Sequence, residues 1–392
     1  MLAVWLSGSI RLIERPLLTE KCPDPTDADF RHRFERQKNP ADPPGRCTAS
    51  SPLVKTVRAL PGQAGLSAVS PTALESLILV LGAPRSGTTW LAKIIDSHPD
   101  VLYRHEPDVT LQSPSPLSPD ALPGLLANWV ADRSLRTVGK RPFFPKSWQP
   151  GWRRGLRTVL TAAASAAGRL PWPFKALADL SIPDLGARAA PRVAIKSNDW
   201  ARDAAILAHV MPDSRTIFIL RHPCGQVASV MRGNRQRRFD LKTRGTDMPF
   251  DEVAAVRFAA EHSIGEPAFQ ALPDAAKYAW SWRAFNEPTY AELSARPNVS
   301  IVLYEALCAQ PEALSRQILK FTGLDWNRQT EDFVARSTAH QGAAGYYAIF
   351  RNAAAAAENW RSTMPAADQD AVRSVVSSSP LSRFWPDLTT AE

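Results

Sequence analysis

The sequence lacks three features that would assign it to other classes of protein. No apolar run approaches the roughly 18 residues that a membrane-spanning helix needs, so a polytopic membrane protein is excluded. The cysteines are widely spaced and form no CxxC pair, which predicts neither a zinc site nor a disulfide framework; they are Cys22, Cys47, Cys224 and Cys308. The apolar segment 1–10 is too short for a signal sequence and has no cleavage site after it, so we expect a cytoplasmic protein.

What the sequence does contain is an ordinary globular share of apolar residues and an excess of positive charge. Hydrophobic residues make up 44% of the 392 residues and charged residues 22%, which excludes global disorder. The net charge of +9 favours an anionic partner such as a nucleotide, a sulfated glycan or a lipid surface. Without an RNA-binding aromatic signature or a basic recognition helix, we do not expect nucleic acid to be that partner.

The chain divides into an N-terminal extension and one α/β domain. Residues 1–73 lack sustained periodicity and contain a proline-rich run, so we expect poor order there. In the remainder, 74–390, short apolar runs alternate with helical patterns, which predicts a central parallel β-sheet flanked by helices. The apolar runs are 77–81, 192–196, 216–220 and 299–304, and the helical patterns lie near 88–97, 199–210, 225–232 and 311–322.

A segment rich in Pro, Trp and Arg, at about 107–190, interrupts this alternation and is interpreted as an insertion. Within it, apolar residues fall at helical spacing among arginines; they are Trp152, Leu156, Val159 and Leu160. A basic amphipathic helix of this kind can lie on a membrane or contact an acidic acceptor. The favoured interpretation is a helix that packs its apolar side on the core, because most surface helices have this pattern.

The strongest local motif is the loop GAPRSGTTW, which runs from Gly82 to Trp90 between an apolar run and a helical pattern. In that context, loop amides and a helix N-terminus hold a phosphate, which makes the predicted domain P-loop-like. Aligned on GxxxxGK[ST], the loop keeps both glycines and Thr89, but Thr88 replaces the lysine that reaches the β- and γ-phosphates. The absence of that lysine counts against a kinase and leaves a site for a shorter anion, with Arg85 as its cation.

A second motif follows the apolar run 216–220. Arg221 comes directly after it, at the carboxyl edge where open α/β sheets bind ligands. Ser229 lies eight residues further on, within the next helical pattern. Together with the first loop, these residues predict two separated phosphates on one nucleotide.

The two motifs resemble the nucleotide signatures of the sulfotransferase superfamily, particularly its bacterial, carbohydrate and tyrosylprotein members. The resemblance implies that the loop binds the 5′-phosphosulfate of 3′-phosphoadenosine-5′-phosphosulfate (PAPS) and that the second motif binds its 3′-phosphate. It also implies that no metal is required. The residues that it assigns to the nucleotide are Pro84, Arg85, Ser86, Gly87, Thr88, Thr89, Trp90, Arg221, Ser229 and, in a segment similar to one that closes over the nucleotide, Arg361.

The activity implied by the resemblance is sulfuryl transfer from PAPS to a hydroxyl or amine by in-line displacement, for which positioning and electrostatics supply most of the acceleration. Glu106 is the first candidate for the base, and the adjacent His105 is its competitor. Lys196 and Arg85 are the cations expected to stabilise the transferring group and the leaving oxygen. The structural alternatives are an ion pair of Glu106 with a cation such as Arg104, and a pair of the strand-end Lys196 with Asp199.

Two other functions stay open on the sequence. A P-loop nucleoside or small-molecule kinase would need magnesium and ATP, and Thr88 counts against it. A non-catalytic basic module that binds a nucleotide or another anion would bind with an affinity that falls as salt is added and does not depend on Arg85. For the enzyme, the acceptor is a glycan, a peptide, a lipid or a small molecule, and the sequence does not choose among them.

Overall fold

The computed structural model describes residues 76–111, 118, 120–138, 141–149, 151–167, 191–201, 203–235, 250–339 and 352–388. These residues all belong to one compact unit, Leu66–Glu392. The extension predicted at 1–73 lies outside the described residues.

Parallel strands form a single sheet in the described part of the chain, in the order β2-β3-β1-β4-β5. The strands are β1 (Ile78–Leu81), β2 (Val101–His105), β3 (Arg192–Ser197), β4 (Arg215–Leu220) and β5 (Val299–Leu303). The central strand β1 pairs with β3 through Leu79 opposite Ile195, and with β4 through Leu79 opposite Thr216. The predicted α/β class and parallel sheet are confirmed.

Helices cover both faces of the sheet. They are α1 (Thr88–Asp96), α2 (Pro107–Thr110), α3 (Leu122–Ala131), α4 (Leu135–Val138), α5 (Gly151–Ala167), α6 (Ala204–Val210), α7 (Pro223–Arg235), α8 (Glu252–Glu261), α9 (Glu266–Gln270), α10 (Asp274–Leu293), α11 (Tyr304–Ala309), α12 (Pro311–Phe321), α13 (Arg328–Thr338), α14 (Ala353–Thr363) and α15 (Ala366–Val376). The helical pattern near 199–210 becomes a 3₁₀ turn, Asp199–Ala201, followed by α6.

The two faces of β1 supply two apolar cores, because successive side chains of a strand point to opposite sides. Ile78 and Val80 pack in a core with α1, α12 and α13. Leu79 and Leu81 pack in the other core with α3, α7, α10 and α15. A strand buried on both faces must be apolar throughout, which explains why a continuous apolar run predicted it.

The segment predicted to be an insertion contributes to the core through α3, whose Trp129 ring centroid lies 3.5 Å from that of Trp200. Helix α5 forms where helical spacing predicted it, but the favoured interpretation of its packing is wrong. Trp152 is 71% exposed and Val159 is 64% exposed. The buried side of α5 instead contains Thr161, and Arg141 donates a 2.9 Å hydrogen bond to the Ala162 carbonyl. No helix among the described residues is long and apolar enough to cross a membrane.

Candidate active site

The loop between β1 and α1 has a left-handed backbone at two residues. Gly87 has φ 103° and Arg85 has φ 71°, both in the left-handed region that non-glycine residues rarely occupy. A Cβ on Gly87 would lie 2.5 Å from the Tyr304 ring. On Gly82, it would lie 2.8 Å from the Ile219 carbonyl. Both glycines of the motif are therefore required by close approach, and the strained Arg85 is typical of a functional site.

Hydrogen bonds of two arginines connect this loop to the second predicted motif. Arg85 Nε donates to Ser229 Oγ at 3.1 Å, and Arg221 Nη1 donates to the Arg85 carbonyl at 2.9 Å. The Arg221 guanidinium also lies 4.6 Å from the centre of the Tyr304 ring. Arg221 is only 8% exposed, and its buried Nε has no hydrogen-bond partner among the described residues. A buried cationic N–H group with no hydrogen-bond acceptor among those residues is suited to bind an anionic ligand.

These arginines line a cleft whose empty volume is about 420 Å³, part of it open to solvent. Its walls are formed by Arg85, Arg221, Gly225, Ser229, Arg232, Ala356, Asn359 and Trp360. Among the described residues, the cleft is lined by three arginines and by no acidic residue, so its electrostatics favour a multiply charged anion. Gly225 and Arg232 were not predicted from the sequence, although they lie four residues before and three residues after Ser229 and therefore share its helix face.

The far wall of the cleft is held by aromatic stacking. The Trp360 indole stacks on the His222 imidazole, with ring centroids 4.5 Å apart and planes 15° apart. Arg361, predicted to reach the nucleotide, pairs instead with Glu358 and, at 3.1 Å, with Asp387. The structure therefore brings Trp360 to the cleft wall and turns Arg361 towards two carboxylates. Trp90, also predicted at the nucleotide, is buried and donates to Ser337 Oγ at 3.1 Å.

The predicted base, its competitor and the strand-end lysine come together at the ends of β2 and β3. Lys196 Nζ contacts Glu106 Oε1, and Asn198 Nδ2 donates to the same oxygen at 2.9 Å. His105 Nε2 lies 3.5 Å from Glu106 Oε2. Thr88 Oγ1 donates to Asn198 Oδ1 at 3.2 Å, so Asn198 connects the phosphate-loop helix to the carboxylate. Arg104 points elsewhere and donates to the Val130 carbonyl.

Buried polar groups surround this carboxylate. Tyr103 hydroxyl and His105 Nδ1 are 2.8 Å apart, and burial, together with Asp96 and Glu106, raises the pKa of Tyr103 well above its ordinary value. Burial also raises the pKa of Asp108 to about 7, although Ser197 Oγ donates to its Oδ2 at 2.6 Å. Asp108 is a second acidic group of the site that the sequence did not single out.

A parallel β-sheet flanked by helices, with a glycine loop at the carboxyl end of its central strand, defines a P-loop-like protein. The model of the sulfotransferase family matches residues 78–328, more than half of the chain. The chain belongs to this family and is an enzyme of the sulfotransferase class, which confirms the family predicted from the two motifs.

No curated protein matches the chain, whereas several solved structures do. The sulfotransferase domain from the curacin biosynthetic pathway is 16% identical with a TM-score of 0.37, covering 76% of this chain and 96% of its own. Mouse sulfotransferase SULT7A1, complexed with PAP, is 15% identical with a TM-score of 0.39, covering 82% and 95%. Sulfotransferase STF9 from Mycobacterium avium is 15% identical with a TM-score of 0.35, covering 81% and 77%. These scores are too low to carry an inference about the site.

Proposed function

We propose that this enzyme transfers the sulfuryl group of PAPS to a hydroxyl or amine of an acceptor. The observation that carries the proposal is the cleft itself, where Arg221 meets Arg85 of a glycine loop that lacks the triphosphate lysine. The Arg221 Nε has no hydrogen-bond partner among the described residues, and Gly225 keeps the space beside it open, since a Cβ there would lie 3.2 Å from that Nε. Both features fit a bound phosphate.

The residues of the cleft divide between the two ends of the donor in this proposal. The loop from Pro84 to Thr89 and the N-terminus of α1 hold the 5′-phosphosulfate, because backbone amides and a helix dipole attract anions. Arg221 and Ser229 hold the 3′-phosphate. Arg85 donates to Ser229, which supports assigning it to the region between the two ends, where it neutralises the leaving oxygen.

The acid–base chemistry is assigned to the carboxylate at the ends of β2 and β3. As the acceptor oxygen bonds to sulfur, the bond from sulfur to the 5′-phosphate oxygen breaks, and Glu106 accepts the acceptor's proton. Lys196 holds Glu106 in place and supplies positive charge beside the transferring group. His105, at 3.5 Å from Glu106, stays the alternative base.

We also propose that no metal takes part. Magnesium in P-loop enzymes neutralises a triphosphate, whereas the proposed donor carries no such group to bridge. Turnover that survives exhaustive chelation would agree with this, and turnover restored only by a divalent metal would contradict it. A cytoplasmic location rests on the sequence alone and stays a prediction.

The experiment that tests the proposed function is a thermal shift with 3′-phosphoadenosine-5′-phosphate (PAP), the desulfated product, beside magnesium-ATP. A ligand at about 100 times its dissociation constant adds roughly 2.7 kcal/mol of stability. Stabilisation by metal-free PAP supports the donor assignment and justifies assays with PAPS and phenol, alcohol and amine acceptors. Stabilisation by magnesium-ATP alone would contradict it and support a kinase.

A further inference from the structure

Helix α5 presents an apolar stripe to the outside of the protein. Six large hydrophobic side chains of the described residues are exposed, and four of them lie on this helix: Trp152, Leu156, Val159 and Leu160. Their spacing of i, i+4, i+7 and i+8 places them on one face. Single exposed hydrophobic residues are ordinary, but a contiguous apolar face on a surface helix marks an interaction site.

The opposite side of α5 attaches it to the domain. At 100° per residue, Thr161 lies half a turn around the helix from Trp152. Thr161 is fully buried, and the neighbouring Ala162 carbonyl accepts a hydrogen bond from Arg141. The apolar stripe therefore faces outward because the other side of the helix is the one that packs.

The charge around α5 indicates what the stripe contacts. Residues 133–178 contain ten lysines and arginines and no aspartate or glutamate. The formal charge of this stretch therefore exceeds the net charge of +9 of the whole chain. Three of those arginines lie within α5 itself, at Arg153, Arg154 and Arg157. A second copy of the same face would bring like charges together, which disfavours self-association through it.

We propose that α5 is a membrane-contact helix that binds the surface of an anionic phospholipid bilayer. Interfacial helices combine an apolar face with arginines, insert Trp and aliphatic side chains at the headgroup level, and gain attraction from anionic lipid. Trp152 and Val159, the two most exposed side chains of the stripe, supply the insertion. This membrane contact does not depend on the proposed sulfuryl transfer. It attaches the enzyme to the surface of the bilayer and does not cross it.

The test is co-sedimentation of the full chain with vesicles, without nucleotide. Vesicles of phosphatidylcholine mixed with phosphatidylglycerol are expected to bind the protein, and vesicles of phosphatidylcholine alone are expected to bind it far more weakly. W152S/V159S is expected to lose most of the binding, whereas V253S, on α8, serves as the matched control because Val253 is 72% exposed and far from α5 in sequence. R153Q/R154Q/R157Q is expected to lower partition by about a hundredfold, at roughly 1 kcal/mol per arginine.

Each variant's melting temperature and its size by light scattering complete the test. Because Trp152 and Val159 are exposed, W152S/V159S is expected to melt like the wild type and to keep its size. Binding that is equal on the two kinds of vesicle, or unchanged in W152S/V159S, would overturn the proposal. So would a wild-type dimer that W152S/V159S converts to monomer, because the stripe would then be an interface between copies.

Discussion

Replacing Arg221 by Met tests how the cleft recognises a nucleotide. The substitution keeps most of the buried aliphatic stem and removes the charge and all donors, including the Nε that lacks a partner in the described part of the chain. Hydrogen bonds to charged groups contribute about 1.5–3 kcal/mol. We therefore expect the dissociation constant for PAP to rise by about 10- to 150-fold.

Arg221 also donates to the Arg85 carbonyl, so its loss can act through the loop as well as through a phosphate. Calorimetric titration with adenosine 5′-monophosphate, which lacks the 3′-phosphate, separates these effects. If Arg221 binds the 3′-phosphate, R221M weakens PAP much more than the monophosphate. R316M is the matched control, because Arg316 is half exposed on α12, where it pairs with Glu312 and lies 4.2 Å from the centre of the Trp326 ring.

Two results would refute the reasoning. PAP binding by R221M at wild-type affinity would show that Arg221 contacts no phosphate. Equal losses for PAP and the monophosphate would show that Arg221 acts by holding the loop, and the two-phosphate assignment would then be wrong.

Three further predictions concern the carboxylates and the lysine beside the loop. E106Q is expected to lower kcat by about 10²- to 10⁴-fold while PAP binding stays unchanged, and a wild-type kcat would transfer the role of base to His105. K196M leaves the Glu106 charge without its lysine, so we expect a loss of about 3 kcal/mol in urea unfolding; K196M/E106Q should recover part of it, and additive losses would contradict the pair. At pH values between the ordinary pKa of 3.8 and about 7, Asp108 is protonated in the folded protein and ionised in the unfolded chain. The unfolding free energy should therefore fall as the pH rises through that window, by on the order of 4 kcal/mol. D108N removes this slope in urea titrations, and equal slopes in D108N and wild type would contradict the raised pKa.

Local patterns were sufficient to predict the frame of this protein. The run 77–81 is apolar because β1 is buried on both faces. The loop contains its glycines because neighbouring atoms approach their Cα atoms too closely for a side chain. Strand, loop and helix are contiguous in sequence, so one short segment contains the information for the phosphate loop. The same holds for Arg221 and Ser229, eight residues apart on either side of one helix start.

Local patterns could not predict what the sheet brings together. Glu106 meets Lys196 because β2 pairs with β3, with His105 opposite Lys196, although 90 residues separate the two side chains. The cleft gains Trp360 because α14 packs against α7 and His222. A periodicity at one end of the chain carries no information about such a contact.

Helix α5 shows the same division in one element. Its spacing of apolar residues determined that it would be a helix with an apolar face, because that depends only on residues three and four apart. Whether this face turns to the core or to the outside depends on where the rest of the chain places its packing surface. The burial of Thr161 and the exposure of Trp152 were decided by the tertiary structure, because an amphipathic pattern is the same on either surface.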